Sequence, residues 1–319
     1  MADHSSQTQS FADQVRAIPG GEHLEMCYSC GTCVSKCMIQ QKVEPEYNPR
    51  RLLRMVMMDM REEAFESPTT WLCSACDLCY PACPQEIHIS GVIGAVKQLA
   101  VEAGYESPLE TVSVDESLCS GCGICVMSCP YEAPHLVEKE IDGVMDRLSE
   151  VDANACMGCG ICVGACPMGA IARPGVANKE IREQLDFPRQ NGTPRMVTFV
   201  CDWCLRADAD VALLESYPEN VQVVHIPCTG RIDPEMALLA LGSGIDGVLV
   251  CGCAPGECHY QRGTVVSSCK IGLLNRALEQ MNMGDGRVRF VQIGTQERGR
   301  VRSEIDGMME HLVAWKEAE

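Results

Sequence analysis

Four stretches of this chain repeat a single spacing, C-x2-C-x2-C-x3-C, and no other feature restricts the fold so tightly. They are Cys27-Cys30-Cys33-Cys37 in CYSCGTCVSKC, Cys73-Cys76-Cys79-Cys83 in CSACDLCYPACP, Cys119-Cys122-Cys125-Cys129 in CSGCGICVMSCP, and Cys156-Cys159-Cys162-Cys166 in CMGCGICVGACP. A [4Fe–4S] cubane accounts for the spacing: three thiolates wrap one corner of a cluster, and the fourth points away to ligate its neighbour. Zinc is the plain alternative. Zinc ribbons, however, use separated C-x2-C pairs, whereas each run here places four cysteines within eleven residues. Small residues such as Gly121, Gly123, Gly158 and Gly160 let the backbone close around an inorganic core and aim its N–H groups at the sulfurs.

Because the fourth cysteine crosses over, the runs are expected to act in pairs. One cluster is assigned Cys27, Cys30, Cys33 and Cys83, and the next Cys73, Cys76, Cys79 and Cys37. A third is assigned Cys119, Cys122, Cys125 and Cys166, and a fourth Cys156, Cys159, Cys162 and Cys129. Three runs end in Cys-Pro, which sets the chain direction after the last ligand; the first ends in Cys37-Met38.

The 23 cysteines in 319 residues do not suit a disulfide scaffold, which is short and secreted. The opening MADHSSQTQS has no basic segment followed by an apolar run, so reduced, metal-bound cysteines in a cytoplasmic protein are expected. No apolar stretch approaches the roughly 18 to 20 residues that cross a bilayer. A net charge of −18 disfavours nucleic-acid binding, which needs a basic face. Only 5% of residues are aromatic, so bound clusters are expected to fill part of the cores and to couple metal binding to folding.

Between Cys37 and Cys73, NPRRLLRMVMMDMREEAFES reads as helical, with Asn48 as N-cap, Pro49 at the first helical position and apolar residues at 52, 53, 56, 57 and 60. Met55, Met57, Met58 and Met60 read as core or interface filler. A second helix, capped by Ser90, follows Cys83. Residues 113–172 read as an α+β ferredoxin module, with short β-like pieces (TVSVDESLC, DRLSEVDANAC) leading into each run and PYEAPHLVEKE as a turn. His135 reads as a surface or packing residue.

Beyond 195 the pattern alternates. RMVTFVC, VQVVHIPC, DGVLVCGC and RVRFVQI read as strands. ADVALLESY, DPEMALLALGSG (capped near Asp233), TVVSSCKIGLLNRALEQM and VRSEIDGMMEHLVAWKEA read as helices. Such alternation predicts an open parallel sheet. GSGIDG at 242–247 fits G-x-G-x-x-G but follows a helix and precedes a strand, the reverse of a pyrophosphate cradle, so it reads as a helix cap and turn. Cys201, Cys204, Cys228, Cys251, Cys253 and Cys258 fall at or beyond the carboxyl ends of three strands, where parallel sheets build their sites. By spacing alone these thiols suit zinc or an iron–sulfur centre equally. Cys269, within a helix, reads as a buried small residue. His259 as a ligand ranks behind the cysteines.

Two resemblances add to this reading. On CYSCGTC, YNPRRLLRMV and WLCSACDLCYPACP, residues 22–104 resemble the C subunit of heterodisulfide reductase, which implies two cubanes conducting electrons between a flavin subunit and a catalytic subunit. On FVCDWC, PCTGRIDPE, DGVLVCGC and GECHYQRG, residues 195–318 resemble the delta subunit of methyl-viologen-reducing hydrogenase. That resemblance implies one [2Fe–2S] cluster receiving electrons from a hydrogenase or formate dehydrogenase. It marks Cys201, Cys204, Cys228, Cys253 and Cys258 as candidate ligands, of which four suffice, and treats Cys251 as a strand-end residue.

The expected architecture is multidomain: an N-terminal arm (1–21), a helical two-cluster ferredoxin-like domain (22–104), an α+β bacterial-type ferredoxin domain (113–172), a linker (173–194) and a C-terminal α/β open parallel sheet domain (195–319). The expected function is an iron–sulfur electron-transfer subunit with four [4Fe–4S] clusters and one [2Fe–2S] cluster. The resemblances imply as partners a flavin-containing heterodisulfide reductase A-like subunit with its B-like catalytic subunit, and a hydrogenase or formate dehydrogenase, and they admit flavin-based electron bifurcation. No residue is singled out as catalytic. Two other readings stand at this stage: a self-contained cluster-based reductase, disfavoured because the chain has no adjacent Cys-Cys pair, and a zinc- or redox-sensing interaction protein.

Overall fold

The computed structural model describes residues 9–318 except 142, 189–191, 205–215, 218, 284–285, 295–296 and 298. The chain divides into two units, Met1–Leu109 and Glu110–Glu319.

The described residues of the first unit form helices α1 (Phe11–Ala17), α2 (Thr32–Ser35), α3 (Met38–Lys42), α4 (Pro49–Met57), α5 (Arg61–Glu66), α6 (Pro68–Leu72) and α7 (Ile89–Glu102). The segment 1–21, expected as an arm, instead contributes α1 to the core. Phe11 and Val15 lie four apart on one helical face and are fully buried, and the Phe11 ring meets Phe65 edge-on at 5.4 Å. Helix α4 starts as expected: the Asn48 side chain accepts the Arg51 N–H at 3.0 Å, and Pro49 takes the first position. It ends where Asp59 adopts a left-handed backbone (φ 60°) and accepts the Phe11 N–H at 2.8 Å. Met55 therefore packs inward, while Met57 and Met58 are exposed. Helix α7 begins at Ile89, so Ser90 is not its cap; the Ser90 hydroxyl turns inward and donates to Asp77.

The second unit opens with two small antiparallel sheets. Strand β1 (Ser113–Val114) pairs with β4 (Ile171–Ala172), and β2 (Pro134–Ile141) pairs with β3 (Val144–Val151). Helix α8 (Ile124–Ser128) lies between them in sequence. PYEAPHLVEKE, expected as a turn, supplies most of β2. His135 is exposed there, opposite Glu150 and 3.9 Å from its carboxylate.

Residues 173–194, expected as a linker, carry helix α9 (Asn178–Gln184) and send Val176, Ile181, Leu185 and Phe187 into the core of the following sheet. Proline, glycine and charge marked the segment as irregular, but its apolar residues recur at spacings that give one buried side. The sheet contains β5 (Met196–Cys201), β6 (Val221–Ile226), β7 (Gly247–Cys253) and β8 (Val288–Ile293) in the order β6-β5-β7-β8, all parallel. Helix α10 (Pro234–Gly242) is capped by Asp233, which accepts the Glu235 and Met236 N–H groups; α11 is Gly263–Gln280 and α12 is Arg300–Ala318. Side-chain alternation sorts the two faces. Val197, Phe199, Val248 and Val250 pack with α10 and α11, and Met196, Val200, Leu249 and Cys251 pack with α12. The expected helix ADVALLESY lies largely outside the described residues. No helix among the described residues is long and apolar enough to cross a membrane.

Candidate metal centres

The fourfold sequence repeat is also a repeat of backbone conformation. The residue before the second cysteine and the residue after it are left-handed in every run: Ser29 and Gly31, Ala75 and Asp77, Gly121 and Gly123, Gly158 and Gly160. Ser29, Ala75 and Asp77 hold φ of 62°, 51° and 59° despite carrying side chains, a strain that persists only where the surroundings demand that path. The path curls each loop around its own sulfurs.

The thiols group across runs as well as within them. Burial, then Cys27, Cys30 and Cys83 among its neighbours, push the Cys33 thiol up to about 11. Burial likewise pushes Cys73 up to about 11, with Cys76 and Cys37 adding to the rise. Cys79 is pushed up by burial and then by Cys73, Cys76 and Cys37. In the second unit, Cys119, Cys122, Cys125 and Cys166 line one cavity with Gly121, Leu136, Ser149 and Ile171. Burial raises Cys159 to about 12, with Cys129 and Cys156 as the neighbouring thiols that add to it. In each group the last cysteine of one run faces the first three of its partner. Thiols that resist losing a proton in an apolar wall, yet converge in fours, fit a centre in which metal takes the proton's place.

Polar neighbours that the cysteine spacing does not disclose surround these groups. Tyr47, 2% exposed, hydrogen-bonds the Cys73 and Cys37 side chains and lowers both, against the larger effect of burial. Ser149 Oγ lies 3.3 Å from Cys125 Sγ. Hydroxyl groups so placed donate to a ligating thiolate and tune its centre.

The C-terminal thiols meet at the point where the strand order reverses. Neighbouring β5 and β7 leave the sheet centre in opposite directions along the order, which opens a crevice at their carboxyl ends. Cys201 ends β5, Cys253 ends β7, and Cys204 follows β5 in a turn. Their sulfurs lie within 4.8 Å of one another, with Cys201–Cys253 at 3.8 Å and Cys204–Cys253 at 3.9 Å. Hydrogen bonds with Cys204 and Cys253 hold the Cys201 thiol well below the usual range, and Cys204 is pushed up by its bonds with Cys201 and Cys253. Among the described residues this is the group of three or more metal-binding side chains that converges most closely on one point. Cys228, at the end of the adjoining β6, hydrogen-bonds Cys258 and senses Cys201. Gly263 is required beside it: a Cβ there would lie 1.9 Å from Cys228 Sγ.

The remaining candidates separate from this site. Cys251 is fully buried among Leu249, Val200 and Ile305 on the α12 face, so it is a core residue and not a strand-end one. The His259 ring stacks on Trp203 with centroids 3.3 Å apart and meets Tyr260 edge-on. Cys269, expected to be buried, is exposed. Helix α11 buries Thr264, Ser267, Ile271, Leu274 and Leu278, which leaves Val265, Cys269 and Leu273 on the opposite stripe.

Over 128 residues the chain is 38% identical to the D-type iron-sulfur subunit of the F420-non-reducing hydrogenase of Archaeoglobus profundus, covering 93% of that protein with 39% of its own length. A family model for the methyl-viologen-reducing hydrogenase, delta subunit, matches residues 196–314. The chain belongs to the delta-subunit family. Models of the 4Fe-4S dicluster domain match residues 23–87, 72–133 and 118–171. The chain is also 34% identical over 121 residues to the A subunit of the ferredoxin/F(420)H(2)-dependent CoB-CoM heterodisulfide reductase of Methanosarcina acetivorans, spanning 37% of itself and 15% of that protein. It is 30% identical over 100 residues to the C subunit of the H(2):CoB-CoM heterodisulfide,ferredoxin reductase of Methanothermobacter marburgensis, spanning 31% of itself and 52% of that protein. It is thus an iron–sulfur electron-transfer protein related to the A and C subunits of heterodisulfide reductase and to the D-type subunit of hydrogenase.

The delta-subunit domain is packed directly against the fourth cysteine run. Gly164, in that run, leaves room for the Arg231 backbone: a Cβ on it would lie 2.1 Å from the Arg231 carbonyl oxygen. Ile161 of the same run meets Gly230, where an added Cβ would lie 2.8 Å from the Ile161 side chain. Tyr131 lies within electrostatic reach of Cys159 on one side and of Cys228, Cys258 and Tyr260 on the other, and burial with these thiols pushes its hydroxyl far up. No spacing rule points to Tyr131.

Proposed function

We propose that this chain is a five-centre iron–sulfur relay. Cys27, Cys30, Cys33 and Cys83 hold one [4Fe–4S] cluster, and Cys73, Cys76, Cys79 and Cys37 a second. Cys119, Cys122, Cys125 and Cys166 hold a third, and Cys156, Cys159, Cys162 and Cys129 a fourth. Cys201, Cys204 and Cys253, with a fourth ligand from Cys228 or Cys258, hold a [2Fe–2S] cluster at the edge of the parallel sheet. Bound there, these groups supply one-electron storage without proton chemistry.

The observation that carries the reading is the packing of the fourth run against the 229–231 turn that follows Cys228 and against Lys270 of α11. It leaves the two thiol sites facing each other across buried side chains, as short-range electron transfer needs. The third run, by contrast, reaches solvent. Cys122 is exposed there, and Leu118 and Met127 beside it are 47% and 73% exposed. The second unit thereby offers a route from the sheet edge, through the fourth and third runs, to a partner at the surface.

In this reading catalysis resides in partners: a flavin-containing heterodisulfide reductase A-like subunit with its B-like catalytic subunit, and a hydrogenase or formate dehydrogenase upstream, with any electron bifurcation at the flavin. The test is iron and sulfide analysis with EPR on the anaerobically purified full chain, followed by isolation of the native complex and identification of its subunits. The expected content is about 18 iron atoms per chain, four cubanes plus one two-iron centre. Zinc in place of iron, or substrate-dependent reductase turnover by the isolated chain, refutes the reading.

A further inference from the structure

Arg231 is fully buried, yet its guanidinium meets no carboxylate. Its Nε donates to the Val176 carbonyl at 2.7 Å and one terminal nitrogen to Asn178 Oδ1 at 2.6 Å, while the other lies 3.9 Å from Met236 Sδ. Lys270, half-buried on α11, likewise meets only neutral groups: its Nζ donates to the carbonyls of Gly164, Ile232 and Gly230 at 2.8, 3.3 and 3.5 Å. All six acceptors are neutral. Among the described residues neither cation forms an ion pair. A buried charge without a counter-charge is strongly unfavourable, so a fold that keeps one beside a second, half-buried cation implies an anion nearby.

Three acidic groups reach them. Asp233 is one, but its carboxylate already accepts the Glu235 and Met236 N–H groups as the cap of α10. The others are thiols of the two candidate centres: Cys162 of the fourth run acts on Arg231, and Cys228 at the sheet edge acts on Lys270. Burial pulls Arg231 down to about 10 and also lowers Lys270, which leaves the guanidinium charged at neutral pH. A thiolate-ligated iron–sulfur centre is a net anion that becomes more negative by one unit on reduction.

The two ferredoxin runs differ at this contact. Gly164 occupies the place that Met127 takes in the third run, eight residues after the first cysteine in each. Met127 is 73% exposed, whereas Gly164 is pressed against Arg231 and its carbonyl receives Lys270. Gly160 similarly leaves only 3.1 Å between a built Cβ and Arg231 Cδ.

We propose that buried Arg231 and half-buried Lys270 form a cationic seam between the fourth-run cluster and the sheet-edge centre, and that the seam raises the reduction potentials of both. Each cation stabilises the extra negative charge that a centre carries when reduced, and the low-dielectric surroundings strengthen the effect. The seam thereby makes these two centres the favoured residence of an electron within the second unit. Both residues act through the centres and are tuning residues, not ligands. The inference rests on the cluster assignment proposed above.

The test is an EPR-monitored redox titration of the full chain with its iron in place. Lys270→Met is expected to lower the potential of the sheet-edge centre by at least the ~59 mV that a tenfold one-electron shift represents, while Lys270→Arg keeps it. Arg231→Gln is expected to lower a [4Fe–4S] potential, with the sheet-edge centre less affected. If Arg231→Gln loses iron or fails to fold, the Lys270 pair decides alone. Wild-type potentials in a fully iron-loaded Lys270→Met variant overturn the seam but leave the cluster assignment standing. Absence of a two-iron signal from the unmodified chain overturns both.

Discussion

Cys251 and Cys253 stand two residues apart on one strand and have different neighbours. Cys253 is the last residue of β7 and meets Cys201 and Cys204, while Cys251 remains between β5 and β8 and packs against α12. Cys253→Ala is therefore expected to remove the two-iron EPR signal and about two iron atoms per chain. Cys251→Ala should keep the iron and lower stability by roughly 1 kcal/mol, as a small buried truncation does; equal iron loss in both variants would contradict the distinction. Gly263 makes a related prediction, because a methyl group there collides with Cys228 Sγ at 1.9 Å. Gly263→Ala should weaken or abolish the sheet-edge signal while the cubane signals persist, as EPR of the reduced protein would show. The sequence marks all five candidate thiols but not the Gly263 contact, since the two residues lie 35 apart and meet only in the folded sheet edge.

At the scale of elements, helix signals with local causes are legible. Asn48-Pro49 and Asp233-Pro234 both start helices where cap chemistry says they should. Ser90 does not, because a tertiary partner, Asp77, claims its hydroxyl. The crossing of the last cysteine in each run is an element-scale feature too. Cys37 lies in the first run but senses Tyr47 and adds to the rise at Cys73, Cys76 and Cys79. Cys37→Ala should accordingly perturb the cluster held by the second run and spare that of the first. Selective loss of the first-run cluster, read by EPR or Mössbauer spectroscopy, would contradict the exchange of ligands. Residues 173–194 illustrate the opposite limit. Their composition reads as a connector, yet the α/β core is incomplete without Ile181, Leu185 and Phe187.

For the whole molecule, thiols take the place that aromatic side chains fill elsewhere. Cys33, Cys125, Cys156, Cys159 and Cys162 are buried together with short apolar residues, and only 5% of the chain is aromatic. Removing iron is then expected to cost stability directly, since metal binding and folding are coupled in small cores of this kind. Anaerobic chelation should lower the melting temperature measured by circular dichroism and expose hydrophobic surface. An apo chain that melts with the holo chain would show that the clusters are passengers. The high acidity has a matching consequence: with a net charge of −18, a partner surface rich in Lys and Arg is favoured, and association should weaken as salt rises.

The sequence by itself marked the sixteen cysteines of the four runs and suggested their pairing, and it determined the alternation that builds the parallel sheet, because each follows from spacing along the chain. Only the tertiary structure decided that Cys251 is core, that Cys269 faces solvent, and that Arg231 and Lys270 lie between two thiol sites. These depend on which sheet face, helix stripe or neighbouring loop a residue meets, and such contacts join positions far apart in sequence. The fourth run and the delta-subunit domain share no sequence pattern that announces their contact. They meet because Gly160 and Gly164 leave room for Arg231.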